Sequence, residues 1–149
     1  MPTVEEINKE SIRRCTEELM NQKNISLLPE LFTEDFINHP NEGEDAVGLD
    51  VLRKATEMTL NAFPDLNYEI VEMFAIEDKI AVVYRLTGTF KGEYMGIQPT
   101  GKKFNVRSIY LCHMKDGKQA EAWGCGDFLT LFIQLGVIPP PGVIPEKRR

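Results

Sequence analysis

At 149 residues the chain has the length of one ordinary domain, and 42% apolar with 27% charged residues is the composition of a protein that buries a core, not of a disordered segment. Seventeen Lys and Arg against 23 Asp and Glu leave a net charge of −6, which repels phosphate backbones and anionic headgroups, so neither nucleic acid nor membrane is an expected partner. No apolar run reaches the roughly 18 residues of a membrane span and the charged start Met1-Pro-Thr-Val-Glu-Glu is unlike a signal peptide, so the expected location is the cytoplasm.

Val4, Ile7, Ile12, Cys15 and Leu19 recur at helical spacing and predict a first helix. Leu27, Leu28, Leu31 and Phe32 form the stripe of a short second helix that ends near Thr33-Glu-Asp35. A third helix covers 49–63, with Leu49, Leu52, Thr56, Leu60 and Phe63 on one face and Pro64 as its stop. The period then changes to two. Strands are expected over 66–76 and 80–90, joined by a turn at Glu77-Asp-Lys79. Residues 91–101 hold three glycines and a proline and read as a loop, long for a hairpin and therefore a candidate for function. Residues 103–115 and 118–127 flank Asp116-Gly117, the signature of a two-residue hairpin turn. Helical spacing returns at 128–135, and 138–149 reads as an extended Pro-rich tail. Helices first and antiparallel strands afterwards give an α+β fold, a curved antiparallel sheet wrapped around N-terminal helices, as a single domain over 1–149.

A two-residue turn sets Lys115 opposite Lys118. Counting outward places Cys112 opposite Glu121, Tyr110 opposite Trp123, Ser108 opposite Cys125 and Val106 opposite Asp127. One surface then carries Phe104, Val106, Ser108, Tyr110, Trp123, Cys125 and Asp127, the apolar and aromatic composition of a small-molecule pocket. The other carries Arg107, Ile109, Leu111 and His113 beside Ala120, Ala122, Gly124 and Gly126, and suits a sheet-against-sheet homodimer. On this count Cys125 is a buried, unreactive thiol. With three cysteines and no C-x-x-C, neither a disulfide framework nor a structural zinc site is expected, and the sequon Asn24-Ile-Ser26 reads as accidental. Two histidines without ligand spacing predict no metal site, and without Gly-x-Ser-x-Gly, Gly-x-Gly-x-x-Gly or a phosphate-binding Gly-Lys-Ser/Thr no nucleophile elbow or cofactor is expected.

Asp35-Phe-Ile-Asn-His39, Phe63-Pro-Asp65, Glu77-Asp-Lys79, Gly88-Thr-Phe-Lys-Gly92, Gly96-Ile-Gln-Pro-Thr-Gly101, Asp116-Gly-Lys118, Trp123 with Asp127, and Gln134-Leu-Gly136 form an ordered set. From about Asp35 to Gly136 the chain resembles the SnoaL-like polyketide cyclase or ester cyclase family, of the nuclear transport factor 2-like superfamily. The resemblance implies an α+β cone around a deep cavity. It also implies a cofactor-independent cyclase or isomerase of the lyase type, closing a ring in a polyketide-like ester by an intramolecular aldol reaction with a pocket Asp as acid/base. Asp127 matches that carboxylate, His39 a histidine of the Asp-Phe-x-x-His motif, and Arg85 a basic residue before the Gly-Thr turn. Phe90 stands where many relatives carry histidine.

The candidate set is therefore Asp127 and His39 as catalytic residues, with Arg85, Tyr110, Trp123, Phe63 and Phe90 binding an apolar carbonyl-containing ligand. In an apolar pocket the Asp127 pKa is expected to rise, which suits an acid/base. The competing reading makes Asp127 the cap of the helix at 128–135, where accepted hydrogen bonds lower the pKa instead. His39, ahead of Pro40, also reads as a structural residue of a turn. Two further functions stay open: a non-catalytic small-molecule binding protein, which Phe90 favours, and an epoxide hydrolase built from Asp127 and Arg85.

Overall fold

Thr3 starts the first helix with a capping box: its hydroxyl accepts from the Glu6 amide at 3.2 Å, and the Glu6 carboxylate accepts from the Thr3 amide at 2.8 Å. The computed structural model describes residues 1–41 and 43–142, so residues 143–149 of the expected tail lie outside it. Helix α1 spans Val4–Arg14 and continues as a π-helical stretch over Cys15–Asn21, whose wider winding turns Cys15, Thr16 and Leu19 together into the interior. A 3-10 turn at Ile25–Leu27 leads into α2, Leu28–Leu31.

Here the chain departs from expectation. Phe32–His39 is a strand, β1, not the end of a helix and a turn. It pairs in parallel with the last strand of the fold, a long-range partner that local periodicity does not announce. A short β2, Ala46–Val47, covers its free edge. Helix α3, Leu49–Ala62, stops before Pro64 as expected. Strands β3 (Asn67–Ile76), β4 (Lys79–Thr89), β5 (Lys103–Lys115) and β6 (Lys118–Gly126) and helix α4 (Phe128–Gln134) follow the reading of the sequence closely.

The sheet runs β2-β1-β6-β5-β4-β3, six strands curved around the helices without closing. Register shifts in β1, β3 and β6 bend it further. One core cluster joins Ile12, Leu19 and Leu28 of the helices to Ile80, Val82 and Cys112 of the sheet; a second gathers Phe63, Phe90, Phe104 and Leu135 at the other end. Asp65 ties that end together, accepting from the Thr89 amide and hydroxyl at 2.7 Å each.

The β5–β6 hairpin turns as expected. Asp116 and Gly117 both adopt positive φ and Lys115 faces Lys118. Its register does not hold beyond that point. Met114 pairs with Gln119, but His113 pairs with Glu121, so Ala120 is an extra residue and a β-bulge. From there every β6 side chain changes sides. Tyr110 faces Gly124, Ser108 faces Gly126, and Trp123 and Cys125 lie opposite Leu111 and Ile109 on the outer surface. Ala122, assigned to the outer face, is inside and 4% exposed. Cys125, assigned to the interior, is exposed.

Candidate functional site

Strands β3, β4 and β5 each send a tyrosine inward at neighbouring positions of the sheet: Tyr68, Tyr84 and Tyr110. Their rings meet edge to face, with centroids 5.3 Å apart for Tyr68–Tyr84 and 5.9 Å for Tyr84–Tyr110. The long loop after β4 adds Tyr94, held by its own short bridge to Ile97 and packed edge-on against Phe63 at 5.2 Å. Tyr68, Tyr94 and Tyr110 stand between two adjoining cavities of about 350 and 550 Å³, and Tyr84 lines the smaller. The smaller, inner one is walled by α1, the π-helical stretch and the sheet; the larger reaches the rim formed by the loop after β1 and by α4. Both are bordered by Asn38, Thr59, Tyr68, Tyr94 and Tyr110.

The chemistry of the inner cavity is neutral. Thr16 donates to the Ile12 carbonyl at 2.8 Å and leaves its lone pairs to the Tyr84 hydroxyl 3.1 Å away. Burial raises the pKa of Tyr68, Tyr84, Tyr94 and Tyr110, so all four are un-ionised donors near neutral pH. It also pushes the Cys15 and Cys112 thiols up to about 12, too high for either to serve as a thiolate nucleophile.

Asp127 is the only carboxylate among the described residues that line the two cavities, and it sits at the rim of the larger one. It is also the cap of α4. Its Oδ1 accepts from the Thr130 amide at 3.0 Å and its Oδ2 from the Thr130 hydroxyl at 2.7 Å. These hydrogen bonds, helped by the charge of Arg107, hold its pKa below the usual carboxylate range. The expected rise is therefore reversed, because the side chain is exposed and well solvated and not enclosed by aromatic rings.

Of the other candidates, Phe63 and Tyr110 line the cavity as expected. Phe90 is 1% exposed and belongs to the second core, beside Phe63 at 5.6 Å, not to the cavity wall. Arg85 is on the outer face of the sheet, where its Nη1 donates to Asn105 at 2.9 Å. Trp123 is also outside, carried there by the bulge. His39 pairs with it across β1 and β6, the two rings stacked at 4.6 Å. Although His39 borders the rim, its Nδ1 lies 2.8 Å from Asp45 and its Nε2 2.5 Å from Glu121. Both ring nitrogens are thus engaged by carboxylates, and the pKa is raised, first by Glu121 and then by Asp45. His39 is thus held in an outer-face cluster with Asp45 and Glu121, while Asp127 is bonded to Thr130.

Sequence reasoning missed Asn38, Thr59, Tyr68 and Tyr94. Alternation along β3 marks Tyr68 as a face-mate of Ile70, and Tyr94 lies in the loop singled out for its length, but nothing local marks Asn38.

Residues 10–135 match the SnoaL-like polyketide cyclase family. The chain belongs to that family. Among solved structures, a candidate SnoaL-like polyketide cyclase from Jannaschia sp. CCS1 superposes with a TM-score of 0.85 at 22% identity, covering 94% of this chain and 98% of that one. IdmH of Streptomyces antibioticus, a candidate polyketide cyclase, gives 0.74 at 25% identity over 87% of this chain and 99% of its own. AclR of Streptomyces galilaeus, a candidate hydroxylase, gives 0.79 at 27% identity over 93% and 85%. No curated protein matches the sequence. These likenesses carry the overall fold, whereas the cavities, Asn38 and the four tyrosines are features of this chain itself.

Proposed function

We propose that this SnoaL-like protein is a cofactor-independent cyclase or isomerase acting on a neutral, largely apolar carbonyl compound, with Asp127 as the proton-transferring group. The observation that carries this reading is the position of Asp127 as the sole carboxylate of the described cavity wall. Asp127 is ionised near neutral pH, the form that accepts a proton, and the Thr130 hydrogen bonds that lower its pKa make it a weaker base than a free carboxylate. In an intramolecular aldol step Asp127 takes a proton from the carbon next to one carbonyl. The resulting enolate carbon bonds to a second carbonyl carbon of the same molecule, and the alkoxide so formed recovers the proton. No electrons leave or enter, so no oxidant is needed. The likeness to IdmH supports this chemistry by analogy of fold.

The test is Asp127→Asn. Asn caps a helix about as well as Asp, so fold and ligand binding should survive, while turnover should fall by about 10² to 10⁴ because the amide cannot carry a proton. Unchanged turnover would overturn the assignment. A second reading, a non-catalytic binding protein, is favoured by the engagement of both Asp127 oxygens with Thr130; it predicts tight binding of a carbonyl compound that is returned unchanged. We further propose a cytoplasmic homodimer assembled through the outer face of the sheet. No helix among the described residues is long and apolar enough to cross a membrane.

A further inference from the structure

We infer that Asn38, Tyr68 and Tyr94 form a neutral hydrogen-bonding collar that grips a carbonyl oxygen of the ligand at the neck between the two cavities. This rests on the reading of the cavities as a small-molecule site and adds to it the atoms that recognise the substrate. Five of the described residues border both cavities, and all five carry a polar side-chain atom, although the remaining wall is mostly apolar. Two of the five have polar neighbours of their own: Thr59 donates to the Ala55 carbonyl at 3.0 Å, and Tyr110 shares its face of β5 with the Ser108 hydroxyl, which tempers the rise in its pKa. The side chains of Asn38, Tyr68 and Tyr94 have no hydrogen-bond partner among the described residues. All three line both cavities and none is sealed in the core, so their polar atoms are open to a ligand that lies across the boundary of the two cavities.

The backbone around each is fixed. Tyr68 is bracketed by Asn21, which donates to its carbonyl at 2.9 Å and accepts from its amide at 2.8 Å. Tyr94 exchanges two hydrogen bonds with Ile97, at 3.0 and 2.9 Å, and the loop leading to it is pinned where the Lys91 and Gly92 amides meet the Ala62 carbonyl. Asn38 lies between Ala46 and Ala122, on the inner face opposite the small Ala122 side chain. Donors held in place before the ligand arrives suit an oxygen that gains negative charge as an enolate forms. Two phenols and an amide carry no net charge, and no Lys, Arg or His borders both cavities among the described residues. The collar therefore selects a neutral ketone or ester over a carboxylate, whose charge would have no counter-charge there. Asp127 borders only the larger cavity, so the carbon that loses its proton lies on the rim side of the collar.

The experiment uses 9-fluorenone and fluorene, a pair of nearly equal shape that differs in one carbonyl. Calorimetry should show fluorenone binding at least three- to tenfold tighter, the worth of one neutral hydrogen bond, and its C=O stretch should move to lower frequency on binding. Tyr68→Phe, Tyr94→Phe and Asn38→Leu should each shrink that preference and the infrared shift while leaving fluorene affinity nearly unchanged, which shows that the cavity still folds. Equal binding of the pair, or an infrared shift that persists in the triple variant, would overturn the collar. Binding of neither compound up to its solubility limit would overturn the collar and the small-molecule reading together. A preference for fluorenone combined with unchanged turnover in Asp127→Asn would leave the collar standing and remove Asp127 as the base.

Discussion

The ring of Tyr110 lies across Gly124: a Cβ built on that glycine would stand 2.6 Å from Cε1 and 3.0 Å from Cδ1 of the tyrosine. The two are directly paired across β5 and β6, so the absent side chain of one makes the bed for the other. Without that space the ring would have to swing into the neck of the cavity. Gly124→Ala should therefore destabilise the fold by about 1–3 kcal/mol, the usual range for overpacking, and should weaken fluorenone and fluorene alike. Thermal unfolding and calorimetry on the same variant check both effects; unchanged affinity would show that the ring has another place to go.

His39 offers a second prediction, on pH. Held between Glu121 and Asp45, its pKa is raised on folding, so the cluster contributes stability that is complete below the ordinary histidine value of about 6.5 and is lost as pH rises through the raised value. Among the described residues, the groups facing His39 are Asp45 from the loop after β1, Glu121 and Trp123 from β6, and, through Glu121, His113 from β5 at 3.6 Å. The melting temperature should fall across that interval in the parent and stay flatter in His39→Gln. Trp123 is the only tryptophan of the chain, so its emission should titrate with the same midpoint. A midpoint below 6.5 would contradict the geometry.

Assembly gives a third. Ile109, Leu111 and Trp123 are 53%, 41% and 37% exposed on one side of the sheet, a patch suited to a second copy of the chain. Leu111→Asp should leave the monomer folded, because the side chain points away from the core, yet it should abolish the dimer in sedimentation. A parent that sediments as a monomer at micromolar concentration would refute the proposal.

Thiol chemistry supplies a fourth. With the dimer face opened by Leu111→Asp, Ellman's reagent should count one reactive thiol in the native protein, Cys125, and three after unfolding. The interior pair stays silent because burial disfavours both thiolates. A second thiol reacting without unfolding would mean that the inner cavity opens.

The sequence makes legible whatever is encoded locally. Pro64 ends α3, Asp116-Gly117 makes a tight turn, and the alternation along β4 appears as the buried series Ile80, Val82 and Tyr84. Strand β1 is hidden because its pairing partner lies some eighty residues away, as His39 and Trp123 show. The outward turn of Trp123 is hidden because one bulged residue, Ala120, has no distinctive chemistry and yet inverts everything after it. Motif matching found Asp127 and His39; the helix-cap reading of Asp127 is the one its bonds to Thr130 bear out, whereas Glu121, which holds His39 on the outer face, lies some eighty residues away and carries no local signal.

After the bulge, adjacent residues of β6 have different audiences. Ala122, Gly124 and Gly126 face inward and set the width of the cavity, while Glu121, Trp123 and Cys125 face outward toward solvent or a second subunit. Substitutions at neighbouring codons can therefore alter ligand size and subunit association separately, with little trade-off between them. Deleting Ala120 would end that independence by exchanging the two sets, placing an indole where the glycines now leave room for Tyr110.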